Sequence, residues 1–114
     1  MSSPQALSEA DRRTVAGWAA DCAERALSIF EADVPTDDRP ADAIARARAF
    51  SRGELDAAGQ IRVRFVAGRA AASATSPAAV AAARAAAQAA GVAHMGAHAL
   101  GAAASGFPLV FGRA

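Results

Sequence analysis

Ser76-Pro77-Ala78-Ala79-Val80-Ala81-Ala82-Ala83-Arg84-Ala85-Ala86-Ala87-Gln88-Ala89-Ala90-Gly91-Val92-Ala93-His94-Met95-Gly96-Ala97-His98 is the stretch that decides the fold class. Its head pairs a serine N-cap with a proline in the first helical position. Alanine has the highest helix propensity of any residue. The alanine-rich segment extends from Ser76 to Ser105, and read as one helix it is long. Gly91 could instead kink or end it. Val80 and His98 point one way, whereas Val92, Met95 and Leu100 do not share that direction. A helix apolar nearly all round belongs in the middle of a bundle.

The rest of the composition agrees. The chain has 114 residues, which fits one domain with a small core. Roughly a third of the residues are alanine, and β-branched residues are few. The expectation is an all-α fold, a compact bundle of four to five helices with a long, alanine-rich last helix. Alanine buries little area per residue, at about 25 cal/mol per Å² of apolar surface. Trp18, Ile29, Phe30, Ile44, Phe50, Ile61 and Phe65 should therefore carry much of the stability. A homo-oligomer would bury further surface.

The formal charge is +1, with every basic residue an arginine. Acidic and basic residues read as interspersed, which argues against nucleic acid as the main partner. The lone Cys22 excludes an internal disulfide and fits a reducing compartment. No basic-then-apolar leader is read at the N-terminus. Arg84, Gln88, His94 and His98 argue against a membrane span in the alanine-rich block. The expected location is cytoplasmic.

In chain order, residues 1–7 read as a frayed lead-in. Ser8 caps a first helix, with Glu9 and Asp11 in its first turn. Val15, Trp18, Ala19, Cys22, Ala26, Ile29 and Phe30 recur at helical spacing and mark its apolar stripe. Asp21 and Arg25 can pair at i,i+4. Pro35 predicts an end near residues 32–34. Asp37 or Asp38 should cap a second helix over about 40–52, with Ile44, Ala47 and Phe50 inward and Gly53 as its stop. Ile61-Arg62-Val63-Arg64-Phe65 alternates like a strand, but a lone strand has nothing to pair with. A third helix over about 56–73 is expected. Residues 106–114 read as an irregular tail.

Two groups of residues could carry function. His94 and His98, four apart, would project from one helical face and could supply two metal ligands. Met95 stands where a zinc protease needs glutamate. The same histidines could pack within the bundle or meet a partner. Trp18, Asp21, Glu24 and Arg25, together with Asp38 and Arg39, could form a polar network that orients the histidines or contacts a partner protein. The arginines at 46, 48, 52, 62, 64 and 69 read as a solvated surface.

Three blocks also resemble a known family: Leu7-Ser8-Glu9-Ala10-Asp11-Arg12-Arg13 with Trp18-Ala19-Ala20-Asp21-Cys22-Ala23-Glu24-Arg25 and Phe30-Glu31; Asp38-Arg39-Pro40 with Ile44, Ala47-Arg48-Ala49-Phe50 and Arg52-Gly53-Glu54-Leu55; and Ala93-His94-Met95-Gly96-Ala97-His98-Ala99-Leu100-Gly101-Ala102-Ala103. In order and spacing they are similar to the bacterial helical domain labelled putative immunity protein. Members often have a histidine near residue 68, where this chain has Gly68-Arg69. The resemblance implies a non-catalytic antitoxin that binds and neutralises a cognate protein toxin. No cofactor and no metal are expected. From the residues alone, the alternative is a small helical metal-binding protein or enzyme using His94 and His98.

Overall fold

A computed structural model of the chain describes residues 8–93, apart from the side chains of 58–64. The expected lead-in, the histidine block and the C-terminal tail lie outside the described residues. Four α-helices follow one another: α1 (Glu9–Asp33), α2 (Arg39–Ser51), α3 (Ala57–Ala70) and α4 (Pro77–Gly91). A short 3-10 turn, Ala71–Ser73, follows α3. No strand occurs among the described residues. The alternating run 61–65 therefore lies within α3, as the lack of a pairing partner predicts.

Local chemistry sets the boundaries. The Ser8 hydroxyl accepts the Asp11 amide at 3.1 Å and starts α1. The helix ends at Asp33, before Val34 and Pro35. Asp37 rather than Asp38 serves the start of α2, because its carboxylate accepts the Arg39 amide at 3.1 Å. Asp38 holds the N-cap position without a side-chain cap bond. At the other end of α2, the Gly53 amide reaches the Phe50 carbonyl at 3.0 Å and the Glu54 amide reaches that of Ala49 at 2.9 Å. This is a Schellman termination, and Gly53 supplies the positive φ of 82° that it needs. Ser76 caps α4 by accepting the Ala79 amide at 3.1 Å, with Pro77 at the first helical position.

Helix α4 is the hub, packing against α1, α2 and α3, while no close backbone approach of α1 to α3 occurs among the described residues. Ala79, Ala82, Ala83, Ala85, Ala86, Ala87, Ala89 and Ala90 are buried around it. Facing them are Ala16, Ala19, Ala20, Ala23 and Ala26 of α1, and Ala67 and Ala70 of α3. Methyl-sized side chains let helix axes approach closely. The large buried groups, Phe30, Ile44, Phe50 and Val92, sit among this alanine packing.

Three expectations need correction. The alanine-rich segment is not one continuous helix: α4 spans 15 residues and ends at Gly91, where the Val92 amide bonds back to Ala89. Trp18 is not in the core but 48% exposed, and Phe65 is 52% exposed. The reason is rotational. Two residues along a helix turn it by about 200°. Trp18 lies between the buried Ala16 and Ala20, and Phe65 lies two before the buried Ala67, so both point outward. The core face of α1 is its alanine face, rotated from the stripe of larger residues, of which Val15, Cys22 and Ile29 are only half-buried.

Two glycines give opposite expectations. A methyl at Gly68 would meet only the Ala87 methyl, at an ordinary 3.9 Å. Gly68→Ala should raise stability by about 0.5–1 kcal/mol through helix propensity. Gly53→Ala, at φ +82°, should lower it by about 1–2 kcal/mol. Thermal unfolding of the two variants beside the parent protein checks both.

Candidate functional site

The outer side of α1 carries Trp18, Asp21 and Arg25 at i, i+3 and i+7, with Glu24 turned toward α2. All four are exposed. Arg48 of α2 spans the two acids. Its Nη1 donates to Asp21 Oδ1 at 2.6 Å, and its Nη2 donates to Glu24 Oε2 at 2.6 Å. The hydrogen bond to Asp21 leads in raising the Arg48 pKa above its ordinary value, with Glu24 adding to it. Both carboxylates are more than half exposed and Arg48 is 30% exposed. Pairs this wet contribute only about 0–1 kcal/mol each. Their effect is positional: the guanidinium fixes two acids on α1 relative to α2. The expected Asp21–Arg25 pair does not form; Arg25 has no ion-pair partner among the described residues, and Asp21 faces Arg48 instead.

Asp38 and Arg39 do not join this group. Arg39 turns back on Asp37, with Nε 2.9 Å from Oδ1 and Nη2 2.6 Å from Oδ2, and its Nη2 also reaches Ser73 Oγ at 3.2 Å. The pair thus ties the α1–α2 loop to the 3-10 turn. The network imagined from sequence is therefore two separate devices, one centred on Arg48 and one on Arg39. His94 and His98 lie outside the described residues. No group of three or more histidine, cysteine or acidic side chains able to hold a metal occurs among the described residues. Cys22 is a free, half-buried thiol on α1.

Both ends of α1 are anchored by residues that the sequence did not single out. Arg13 donates from Nη1 to the carbonyls of Phe50 at 2.5 Å and Leu55 at 3.1 Å, and its guanidinium lies over the Phe50 ring, 4.4 Å from the centroid. It also pairs with Glu9 at 3.5 Å. Arg12 Nε donates to the Ala93 carbonyl at 2.9 Å. A signal was present: two cations in the first turns of a helix oppose its dipole and call for another use. At the far end, Asp33 accepts the Thr75 amide at 2.6 Å, the Thr75 hydroxyl at 2.5 Å and the Ser76 amide at 3.4 Å. The arginines at 46, 48 and 52 form a surface paired with Asp42, Asp21, Glu24 and Glu54. No helix among the described residues is long and apolar enough to cross a membrane.

A family model described as Imm-5 like putative immunity protein matches residues 5–110. No curated protein and no solved structure matches the chain.

The geometry makes two expectations. Arg13→Lys keeps the charge but cannot serve two carbonyls and a ring face together. It should cost roughly 1–3 kcal/mol in urea unfolding. Asp33 is held below its ordinary pKa, first by the Thr75 hydroxyl and then by the Thr75 amide; Asp37 is lowered by Arg39 and Glu54 by Arg52. Each is more acidic folded than unfolded. Each therefore contributes stability above its unfolded value, near pH 4, that is lost as pH falls through the lower folded value. An acid titration by circular dichroism should show stability declining below about pH 4. In Asp33→Asn that decline should be shallower, from a lower neutral-pH starting point.

Proposed function

The chain belongs to the Imm-5 like putative immunity protein family, and from that premise we propose that it is a cytoplasmic bacterial antitoxin. It binds a cognate protein toxin and blocks it by steric occlusion, without catalysing a reaction. The family match over residues 5–110 carries the reading.

The contact residues we assign lie on the outer side of α1: Trp18, Asp21, Glu24 and Arg25, with Asp38 and Arg39 at the start of α2 and His94 and His98 beyond the described residues. Tryptophan and arginine are the types that dominate interface energies, and Trp18 and Arg25 are both exposed. Preorganisation supports the choice of α1. Arg13 holds one end, Asp33 holds the other, and Arg48 fixes Asp21 and Glu24 between them. A face already rigid loses little freedom on binding.

Co-expression with toxins encoded beside this chain's gene should rescue growth for at least one of them, and the purified pair should co-elute. Trp18→Ala should weaken that complex by about 2 kcal/mol, roughly 30-fold, with the thermal midpoint nearly unchanged. Growth arrest by every neighbouring toxin despite co-expression would defeat the immunity reading. Undiminished binding by Trp18→Ala would defeat only the assignment to α1.

A further inference from the structure

Helix α1 carries a second row of side chains beside its buried alanine face. Asp11, Val15, Trp18, Cys22, Arg25 and Ile29 follow one another at steps of four, three, four, three and four residues. That alternation is the spacing of a seam between two helices. Among the described residues the row is only partly covered. Asp11, Trp18 and Arg25 are exposed, and Val15, Cys22 and Ile29 are half-buried.

The row is its own complement when reversed. Trp18 stands midway, seven residues from Asp11 and seven from Arg25. Asp11 and Arg25 carry opposite charges, and neither forms an ion pair among the described residues. Asp21, four residues before Arg25, is turned to Arg48, which leaves Arg25 for another acid. A two-fold axis at Trp18, perpendicular to α1, sets two such helices antiparallel. It places Asp11 of each copy opposite Arg25 of the other, Val15 beside Cys22, and the two indole rings together on the axis. Two identical rows satisfy both unpaired charges at once, a match that an unrelated surface would have to supply independently.

We propose that this row of α1 is the contact surface for a second copy of the chain, packed antiparallel about Trp18. The inference is independent of the toxin reading. The two share Trp18 and Arg25, so a copy and a toxin exclude one another at this face. From Asp11 to Arg25 the row runs about four helical turns. Such a contact falls below the roughly 1,200 Å² of a standard interface, so the dimer is weak, with a dissociation constant on the order of 10–100 μM.

Sedimentation velocity of the full chain from about 1 μM to about 1 mM should show monomer passing to dimer. Trp18 is the chain's single tryptophan, so its emission should move to shorter wavelength over the same range. Asp11→Arg or Arg25→Glu alone sets like charges opposite each other twice per dimer. Either should raise the dissociation constant by roughly 10-fold or more, most strongly at low salt. The chain carrying both substitutions restores opposite charges and should return to within about threefold of the parent. Arg46→Glu on α2, where Arg46 is paired with Asp42, should change little. Circular dichroism checks the fold of each variant. If a reversal does not fold, Asp11→Asn and Arg25→Gln replace the pair, and each should weaken the dimer. A chain that stays monomeric at about 1 mM overturns the proposal. So does a dimer that neither charge change weakens, or one that the double exchange leaves as weak as the single reversals. A monomer whose tryptophan emission is already that of a buried indole overturns it in favour of residues outside 8–93 as the cover. Toxin takes no part in these measurements, so their failure leaves the immunity reading intact.

Discussion

The close contact of α4 with its three neighbours is the constraint from which the rest of the arrangement follows. Alanine faces alanine along most of that contact. Side chains of this size add little hydrophobic area each, so stability depends on the number of contacts and on how near the helices come. A larger group cannot enter such a seam without pushing the helices apart. Trp18 and Phe65 are accordingly outside it, and Phe30 and Phe50 are buried where the alanine seam leaves room. The core thereby decides which aromatics stay exposed.

With so modest a core, the ends of the helices matter more. Arg13 draws the turn after α2 onto α1 through two carbonyls and a ring face. Asp33 joins the end of α1 to the start of α4 through one side chain and two amides. Arg39 and Asp37 brace the loop between α1 and α2 against the 3-10 turn. These polar ties hold segments far apart in sequence, and they fix the frame in which the outer side chains of α1 and α3 are presented.

Much of this was legible in the sequence, because the signals were local. Ser8, Gly53 and Ser76-Pro77 each act through their own backbone neighbours, and each marks a helix boundary that the structure has. The helical character of 61–65 followed from the lack of a pairing strand. What could not be read was rotation. Val15, Trp18, Cys22 and Ile29 form as convincing a stripe as the alanines beside them, and hydrophobicity favours the larger residues. Only tertiary packing shows that size, not polarity, selects the buried face. Partner choice was hidden for a similar reason. Asp21 has Arg25 four residues on, yet the geometry of α2 gives it Arg48, and no spacing along one helix encodes a contact between two. All eleven carboxylates precede residue 57, a division that the whole-chain sum near zero masked.

The alanine seam also divides one small chain into positions that differ in their tolerance of substitution. A methyl group has no rotamer to lose on burial, so the alanine seam itself is assembled without side-chain entropy cost. The same fact leaves it no room for drift: a larger residue overfills the seam and glycine weakens the helix. The outward rows of α1 and α3 are under no such restriction, since Trp18, Arg25, Phe65 and Arg69 can change size or charge without reaching the seam. A protein built this way can exchange its outward side chains residue by residue while its scaffold stays unaltered.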